Sequence, residues 1–235
     1  MSVADNVTEI HERISRAAAR VGRSPESITL MAVSKTVEPE RIKEAYATGL
    51  RIFGENRVQE FESKSGALSE LKEAEWHLIG HLQSNKVKKA TELFHAIDSV
   101  DSLRLAEKLN QSAGKSGKTL AVLIEIKVGQ EESKAGIPLD SPELESLLRA
   151  APKLESLQIR GLMTVPPFSE NPEDARPYFR LLRDLRDKIA ARRLPGIQME
   201  VLSMGMSHDF EVAIEEGSTC VRVGTAIFGA RPKPA

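Results

Sequence analysis

Eight short apolar runs, each followed by a helical pattern, constrain the fold of this chain more than any other feature. The runs are 28–33, 51–54, 76–80, 93–97, 120–128, 157–163, 198–202 and 219–223, and the helical segments after the first seven are 39–48, 57–71, 84–91, 101–113, 141–150, 173–193 and 208–216. Alternating strands and helices are typical of a parallel sheet, and eight such units in about 200 residues favour a closed barrel over an open doubly wound sheet. We therefore predict an α/β fold: one (β/α)8 TIM-type barrel domain over residues 1–235, with an extra N-terminal amphipathic helix at 4–21.

Composition and charge narrow the classes of partner. The chain has 33 basic and 34 acidic residues, and its net charge of -1 gives no reason to expect nucleic acid or an anionic membrane as partner. Its one cysteine, Cys220, excludes an internal disulfide and is expected to be a small buried apolar residue. The first residues lack a charged leader and an apolar segment, and no run approaches a membrane span, so we expect a cytoplasmic protein.

Candidate site residues stand at the carboxyl end of each apolar run. In barrels of this class, binding and catalytic groups gather at the carboxyl ends of the strands. The residues at those ends are Ser34-Lys35-Thr36, Gly54-Glu55-Asn56-Arg57, Gly80-His81-Leu82-Gln83, Asp98-Ser99, Lys127, Met163-Thr164, Ser203-Met204-Gly205-Met206-Ser207 and Arg222-Val223-Gly224-Thr225. We expect these groups to meet at one mouth of the barrel.

Lys35 is the first candidate, because it stands directly after an apolar strand and not on a solvated helix face. Partial desolvation of a lysine favours the neutral, nucleophilic amine. Such an amine can form an imine with an aldehyde. The alternative is a lysine at the rim of the core held in a salt bridge, and position alone leaves both interpretations open.

The ends of the last two strands indicate an anion site, because phosphate sites in these barrels often lie after strands seven and eight. Ser207 is predicted to cap the helix after the seventh strand, at the positive end of its dipole. Gly224 and Thr225 offer backbone N–H groups and a hydroxyl, and a glycine lets the backbone approach a phosphate closely. Asp209 would repel a phosphate unless it points outward. Ordinary capping and turn chemistry is the alternative interpretation.

One arginine and two histidines in or next to the predicted strands are further candidates for the site. Arg222 alternates within an apolar strand, so it should face a carboxylate or a ligand. His81 is positioned to contact a ring, to donate a proton or to support other site residues, whereas His77 lies within a strand and is interpreted as structural. No helical pair of histidines or Cys/His spacing surrounds either one, so we expect no zinc site.

The assembled motifs resemble the pyridoxal phosphate homeostasis protein family over nearly the whole chain. They are Ala32-Val33-Ser34-Lys35-Thr36, Phe53-Gly54-Glu55-Asn56-Arg57-Val58-Gln59-Glu60, Trp76-His77-Leu78-Ile79-Gly80-His81-Leu82-Gln83-Ser84-Asn85-Lys86, Gly161-Leu162-Met163-Thr164, Leu202-Ser203-Met204-Gly205-Met206-Ser207-His208-Asp209 and Val221-Arg222-Val223-Gly224-Thr225-Ala226-Ile227-Phe228-Gly229. That family resembles the N-terminal barrel of bacterial alanine racemases.

The resemblance implies a site for pyridoxal 5′-phosphate. By this resemblance Lys35 carries the cofactor as a Schiff base, and Arg222 faces the pyridine nitrogen and keeps it unprotonated. The implied phosphate ligands are Ser207, Gly224 and Thr225, with the Gly205 and Met206 backbone nearby. The residues implied around the ring are Asn56, His81, Met163, Ser203 and Met204. Lys134 is a second lysine that the resemblance connects with cofactor handling.

Three functions are compatible with these residues. Racemases of this type use a second base, a tyrosine from a further domain, whereas Tyr46 and Tyr178, the two tyrosines here, lie in predicted helices. The favoured hypothesis is therefore a non-enzymatic protein that buffers or delivers the cofactor to apo-enzymes, tunes amino-acid and keto-acid balance, and acts as a monomer. The alternatives are a weak racemase or lyase acting on amino acids, and a sugar-phosphate enzyme that uses Lys35 as an aldolase-like Schiff base.

Overall fold

The computed structural model describes residues 2–129 and 135–229 of the chain, and eight of its strands form a closed parallel barrel. The strands are β1 (Thr29–Val33), β2 (Ile52–Glu55), β3 (Glu75–Leu78), β4 (Ala96–Val100), β5 (Leu120–Lys127), β6 (Ile137–Pro138), β7 (Leu157–Met163), β8 (Ile197–Met206) and β9 (Cys220–Val223). Neighbours around the barrel are β1, β2, β3, β4, β5, β7, β8 and β9, and β9 pairs with β1 to close it. The predicted fold class is confirmed.

The helices lie outside this barrel. They are α1 (Val3–Arg20), α2 (Pro39–Ala47), α3 (Val58–Ser65), α4 (Val87–Leu93), α5 (Leu103–Lys115), α6 (Pro142–Ala150), α7 (Arg176–Ala191), α8 (Phe210–Glu215) and α9 (Thr225–Phe228). The extra N-terminal helix α1 begins with a capping box between Ser2 and Asp5 and packs on α8 and α9. Among the described helices, none is both long and apolar enough to cross a membrane.

The hydrophobic core lies between the barrel and the helices. On β5, for example, Leu120, Val122, Ile124 and Ile126 belong to this core. Side chains alternate across a strand, so the residues between them point into the barrel. Leu123 does so and lines an interior cavity. This alternation decides which candidate side chains can reach the barrel's interior and mouth.

Three element boundaries differ from prediction in ways that affect the site. The fourth strand, predicted at 93–97, is β4 at Ala96–Val100, so Asp98 lies inside the strand and not at its end. The seventh run, predicted to end at residue 202, continues as β8 to Met206. The short helix α9 starts at Thr225, where the sequence pattern predicted no helix.

Candidate functional site

The position of Lys35 follows from the alternation of β1. Leu30 and Ala32 belong to the outer core, whereas Met31 lines the interior cavity. The same alternation places Ser34 on the outer face and Lys35 on the inner face, just past the end of the strand. Lys35 is half-buried there. The sequence prediction of a lysine at the barrel mouth therefore agrees with its position in the fold.

A buried network on the outer face fixes the turn that carries Lys35. The Ser34 hydroxyl donates to the Glu55 carboxylate, and Lys64 Nζ lies 2.8 Å from both Glu55 Oε1 and the Ser34 carbonyl oxygen. Burial raises the pKa of the Glu55 carboxyl, against the lowering effect of Lys64. The next residue, Thr36, has φ +60° and its N–H donates to Glu60. These contacts hold the backbone on both sides of Lys35.

Arg222 lies inside the barrel below the mouth, with 3% of its surface exposed. Its Nη1 donates to Ser203 Oγ at 2.8 Å, and its Nη2 donates to the Thr164 carbonyl oxygen at 2.7 Å. Burial lowers the pKa of the guanidinium, which remains a permanent cation. Within residues 2–129 and 135–229 no carboxylate forms an ion pair with Arg222. The sequence predicted either a carboxylate or a ligand as its partner, and a ligand is therefore the remaining prediction.

The loops after β8 and β9 meet at Ser207. The N–H groups of Gly224 and Ala226 both donate to Ser207 Oγ, at 3.2 and 3.4 Å. Val33 is the neighbour of Gly224 on β1, since a Cβ on Gly224 would lie 3.3 Å from the Val33 carbonyl oxygen. Amide donors and a hydroxyl thus converge one strand away from Lys35, where the sequence predicts a phosphate site.

The predicted capping role of Ser207 is wrong. Because β8 continues to Met206 and the next residues form a turn, α8 begins only at Phe210, with Asp209 in the capping position. The Met206 N–H donates to Asp209 Oδ1 at 2.6 Å, and the Asp209 side chain is buried. Burial raises the pKa of this carboxyl, and the Met206 hydrogen bond lowers it. Asp209 thus uses the Met206 amide for the turn, which removes that amide from the predicted phosphate ligands.

In the segment from Ser203 to Ser207, some of the predicted ligand-binding groups face the barrel mouth and others face the outer core. Ser203 faces inward to Arg222, whereas the Met204 side chain is buried in the outer core, so only the Met204 backbone is available to a ligand. Gly205 has φ +93°, and a Cβ there would lie 2.5 Å from Ala213 Cβ. A glycine is required at this position for both reasons, since α8 packs directly against the strand end.

The remaining ring candidates surround the same mouth. Asn56 is half-buried beyond β2, and a Cβ on Gly80 would lie 2.3 Å from the Asn56 carbonyl oxygen, so the glycine permits this approach. His81 is exposed, and its Nδ1 lies 2.9 Å from Asp101 Oδ2. Met163 is buried and lies in register between Glu125 and Ser203. These side chains come from separate strands that end at one edge.

Glu125 is an inward-facing residue that the sequence interpretation missed. Its carboxyl is buried, and no described residue bonds to its Oε2. Burial raises the pKa of this carboxyl to about 7; Asp101 raises it further, and Arg222 and His81 lower it. The signal that singled out Arg222, a charge alternating within an apolar strand, was equally present in Leu123-Ile124-Glu125-Ile126.

Asp98 belongs to the other end of the barrel, contrary to its place among the predicted strand ends. His77 Nδ1 lies 3.2 Å from both Asp98 carboxylate oxygens, beside a cavity of about 310 Å³ at the amino ends of the strands. Burial lowers the pKa of His77, but Asp98 outweighs it and raises the value to about 9. This pair supports the structural interpretation of His77.

Two further predictions concern lysine and metal chemistry. Lys134 lies outside the described residues. Among the described residues, no three His, Cys, Asp or Glu side chains are grouped in a way that could hold a metal ion.

Comparison with known proteins identifies the family. The family described as alanine racemase, N-terminal domain, matches residues 6–232. A pyridoxal phosphate homeostasis protein of Aquifex aeolicus is 47% identical over 98% of this chain and 99% of its own length. The pyridoxal phosphate homeostasis protein of Escherichia coli strain K12 is 44% identical over 97% of both chains.

Solved structures agree with the fold and with the family. PipY of Synechococcus elongatus, solved with pyridoxal phosphate bound, superposes with a TM-score of 0.81 at 39% identity and covers 92% of this chain and 100% of its own. An alanine racemase of Clostridium difficile superposes at TM-score 0.72 with 17% identity over 97% of this chain and 58% of its own, which supports the barrel fold alone. The chain therefore belongs to the alanine racemase N-terminal domain family and, within it, to the pyridoxal phosphate homeostasis proteins.

Proposed function

We propose that this protein binds pyridoxal 5′-phosphate at the carboxyl-end mouth of the barrel, through Lys35, and serves in pyridoxal phosphate homeostasis. The observation that carries the proposal is the placement of Lys35 on the inner face of β1, next to the amides that converge on Ser207. The names of the relatives and the cofactor bound to PipY support the same function.

The cofactor would supply an aldehyde, and Lys35 would hold it through its amine, the kind of group that forms imines with aldehydes. The chain's own groups would do the rest. Hydroxyl and backbone donors for the phosphate would come from Ser207, Gly224 and Thr225. Gly224 packs closely on Val33 and has no side chain, so its backbone N–H is not covered on the ligand side. The Met206 amide is not among these donors, because it binds the Asp209 carboxylate.

Arg222 gives the pocket its fixed charge. A permanent guanidinium facing the pyridine nitrogen would keep that nitrogen unprotonated, which makes the ring a weaker electron sink. Its hydrogen bonds to Ser203 and the Thr164 carbonyl hold the guanidinium in place. Asn56, His81, Met163 and the Met204 backbone would complete the walls around the ring, and the Gly205 backbone would lie near the phosphate. This arrangement suits retention of the cofactor more than stabilisation of a carbanion.

A carrier role without catalysis is favoured by the tyrosines. Tyr46 lies on α2 against the Arg51 guanidinium, and Tyr178 lies on α7, so both are outside the barrel. Neither can act as a second base opposite Lys35. We therefore propose buffering or delivery of the cofactor to apo-enzymes in the cytoplasm, by a single monomeric domain over 1–235, in preference to a weak racemase or lyase.

Covalent trapping tests the cofactor proposal. Protein loaded with pyridoxal 5′-phosphate should be yellow, and borohydride should fix the cofactor on the peptide that contains Lys35, as read by mass spectrometry. Lys35→Ala should lose the visible band and the labelled peptide. Lys86→Ala, which removes a lysine from the groove beside the mouth, should keep both. Equal binding by wild type and Lys35→Ala would overturn the proposal.

Proton exchange separates a carrier from an enzyme. Loaded protein incubated with a panel of amino acids in deuterated water should leave their α-protons in place, as followed by NMR. Rapid exchange that disappears in Lys35→Ala would establish an amino-acid enzyme instead. The same experiment with an alanine racemase as positive control fixes the sensitivity of the measurement.

A further inference from the structure

Two buried carboxylate oxygens among the described residues have no hydrogen-bond partner: Glu55 Oε2 and Glu125 Oε2. An unpartnered buried acceptor costs free energy and calls for an explanation. For Glu55 the explanation is that its other oxygen, Oε1, lies 2.8 Å from Lys64 Nζ and accepts a hydrogen bond from Ser34, so the carboxylate is paired. Glu125 has no such partner within residues 2–129 and 135–229.

The side chain of Glu125 lies on the inner face of β5, beside the residues that form the proposed cofactor pocket. On β5 it alternates with the core residues Ile124 and Ile126, so it points into the barrel. In the sheet it lies beside Met163, whose own neighbour on the far side is Ser203. Only 8% of Glu125 is exposed. A carboxyl group is thus buried at the level of the pocket walls with one oxygen left to interact with a ligand.

The charges around Glu125 come from several elements. Asp101 follows β4, His81 follows β3 and Arg222 lies on β9, and all three influence its ionisation. Asp98 is the other acid on β4, but it is paired with His77 toward the opposite end. Lys127 is the next inward position of β5 itself. Arg222, a permanent cation, gives its hydrogen bonds to Ser203 and Thr164, so its charge only partly stabilises an ionised Glu125.

We propose that Glu125 is the proton-carrying group of the cofactor pocket and that the loss of its proton weakens the protein's hold on pyridoxal 5′-phosphate. This inference rests on the proposed function. A protonated Glu125 can donate a hydrogen bond to an oxygen of the ligand. An ionised Glu125 is a second anion in a pocket that must also hold a phosphate carrying about -1.5 to -2 charges, and repulsion between buried like charges is large.

The direction of the effect follows from linkage. Burial already raises the pKa of Glu125 to about 7 without a ligand. An anionic ligand in the same pocket raises that pKa further, so affinity is highest while the carboxyl is protonated and falls as pH rises through neutrality. A release that responds to pH near 7 would suit a protein that both stores and delivers its cofactor.

The test measures the equilibrium dissociation constant of pyridoxal 5′-phosphate, by absorbance of the bound form, from about pH 6 to 8.5. Wild-type affinity should fall about tenfold more over this range than that of Glu125→Gln, the ratio that one unit of ligand-coupled pKa shift produces. The matched control is Glu75→Gln, which removes a carboxylate from the amino end of β3 and should keep the wild-type slope. Ionisation of the phosphate occurs in all three proteins, so it does not account for a difference between their pH slopes.

A second readout does not depend on the ligand. Infrared difference spectra of the ligand-free protein should show a protonated carboxyl band that titrates near neutral pH and is missing from Glu125→Gln, whose thermal unfolding midpoint confirms that it folds. Equal pH slopes for wild type and Glu125→Gln would overturn this inference and leave the proposed function standing. Wild-type protein that does not bind the cofactor at all would overturn the proposed function and this inference with it.

Discussion

The two ends of the barrel both contain buried charges, but the charges are satisfied in different ways. At the amino end, the buried His77 and Asp98 bind each other, and at the exposed rim of the 310 Å³ cavity Arg160 lies 3.1 Å from Glu200. At the mouth, Arg222 binds a hydroxyl and a carbonyl, and Glu125 leaves one carboxylate oxygen without a partner. The two ends thus share the same kinds of residue and differ in how these are paired.

This difference separates structural charges from ligand-facing ones. A charge pair that satisfies itself contributes to folding and leaves little for a ligand to gain. A charge whose partners are neutral groups can still attract a charged or polar ligand. The free energy spent on burying that charge is then recovered when the ligand binds. Cavities lie at both ends, so the pairing of the charges, and not the presence of a cavity, distinguishes the mouth as the ligand-facing end.

The largest expected effect comes from removing the fixed cation of the mouth. Arg222→Gln should weaken equilibrium binding of pyridoxal 5′-phosphate about 100-fold, or about 3 kcal/mol, because a charged hydrogen bond to the ligand is lost. The measurement is titration of the ligand-free variant with the cofactor. A variant that binds as tightly as wild type would remove Arg222 from the ligand-facing set.

The amino-end pair should affect stability and not binding. The pKa of His77 is raised from 6.5 to about 9 in the folded protein, so its stabilisation is fully present below pH 6.5 and is lost as pH rises through 9. Wild type should therefore lose roughly 2–3 kcal/mol of unfolding free energy relative to His77→Gln between those pH values. Urea unfolding at several pH values measures this difference.

The same variant provides the comparison between the two ends. His77→Gln should bind pyridoxal 5′-phosphate with wild-type affinity, because His77 faces the cavity at the opposite end from Lys35. A large loss of affinity would mean that the two ends are coupled through the barrel interior. A parallel pH dependence of stability in both proteins would instead assign the raised pKa to some other group.

Much of the fold could be predicted because its signals are local. Apolar runs and caps specify strands and helices, and their alternation specifies a parallel barrel. The inner positions of Lys35 and Arg222 also follow from period-two alternation within one strand. What alternation cannot supply is the point at which a strand ends, and this is where the predictions failed. Asp98 was assigned to the mouth only because β4 was predicted to end before residue 98.

Contacts between distant segments account for the other differences. Ser207 binds the amides of Gly224 and Ala226, seventeen and nineteen residues further along, and no local pattern distinguishes this from a helix cap. Met204 faces the core because β8 continues past residue 202 with its alternation intact. Glu125 differs from these residues, because a charge within an apolar run marks it in the sequence as clearly as it marks Arg222.

A smaller effect is expected from the turn that joins β8 to α8. Gly205→Ala adds a Cβ at φ +93° and only 2.5 Å from Ala213 Cβ, so it should cost about 2 kcal/mol of unfolding free energy. Gly66→Ala is the matched control, because a Cβ there meets open space in an ordinary helical conformation. Urea unfolding compares them, and equal stabilities would show that α8 can move away from the strand end at no cost.

The smallest expected effect concerns the hydroxyl where the two phosphate-binding loops meet. Ser207→Ala removes the acceptor of the Gly224 and Ala226 amides, and in the loaded protein it removes one donor to the phosphate. The loss of one hydrogen bond should weaken cofactor binding about fivefold, or about 1 kcal/mol. Pyridoxal, which lacks the phosphate, should bind wild type and Ser207→Ala equally well. If Ser207→Ala weakens the binding of both ligands by the same factor, Ser207 shapes the pocket as a whole and does not contact the phosphate. If it weakens the binding of neither, the amides of Gly224 and Ala226 alone account for the anion site, because without Ser207 Oγ they are free to donate to the phosphate.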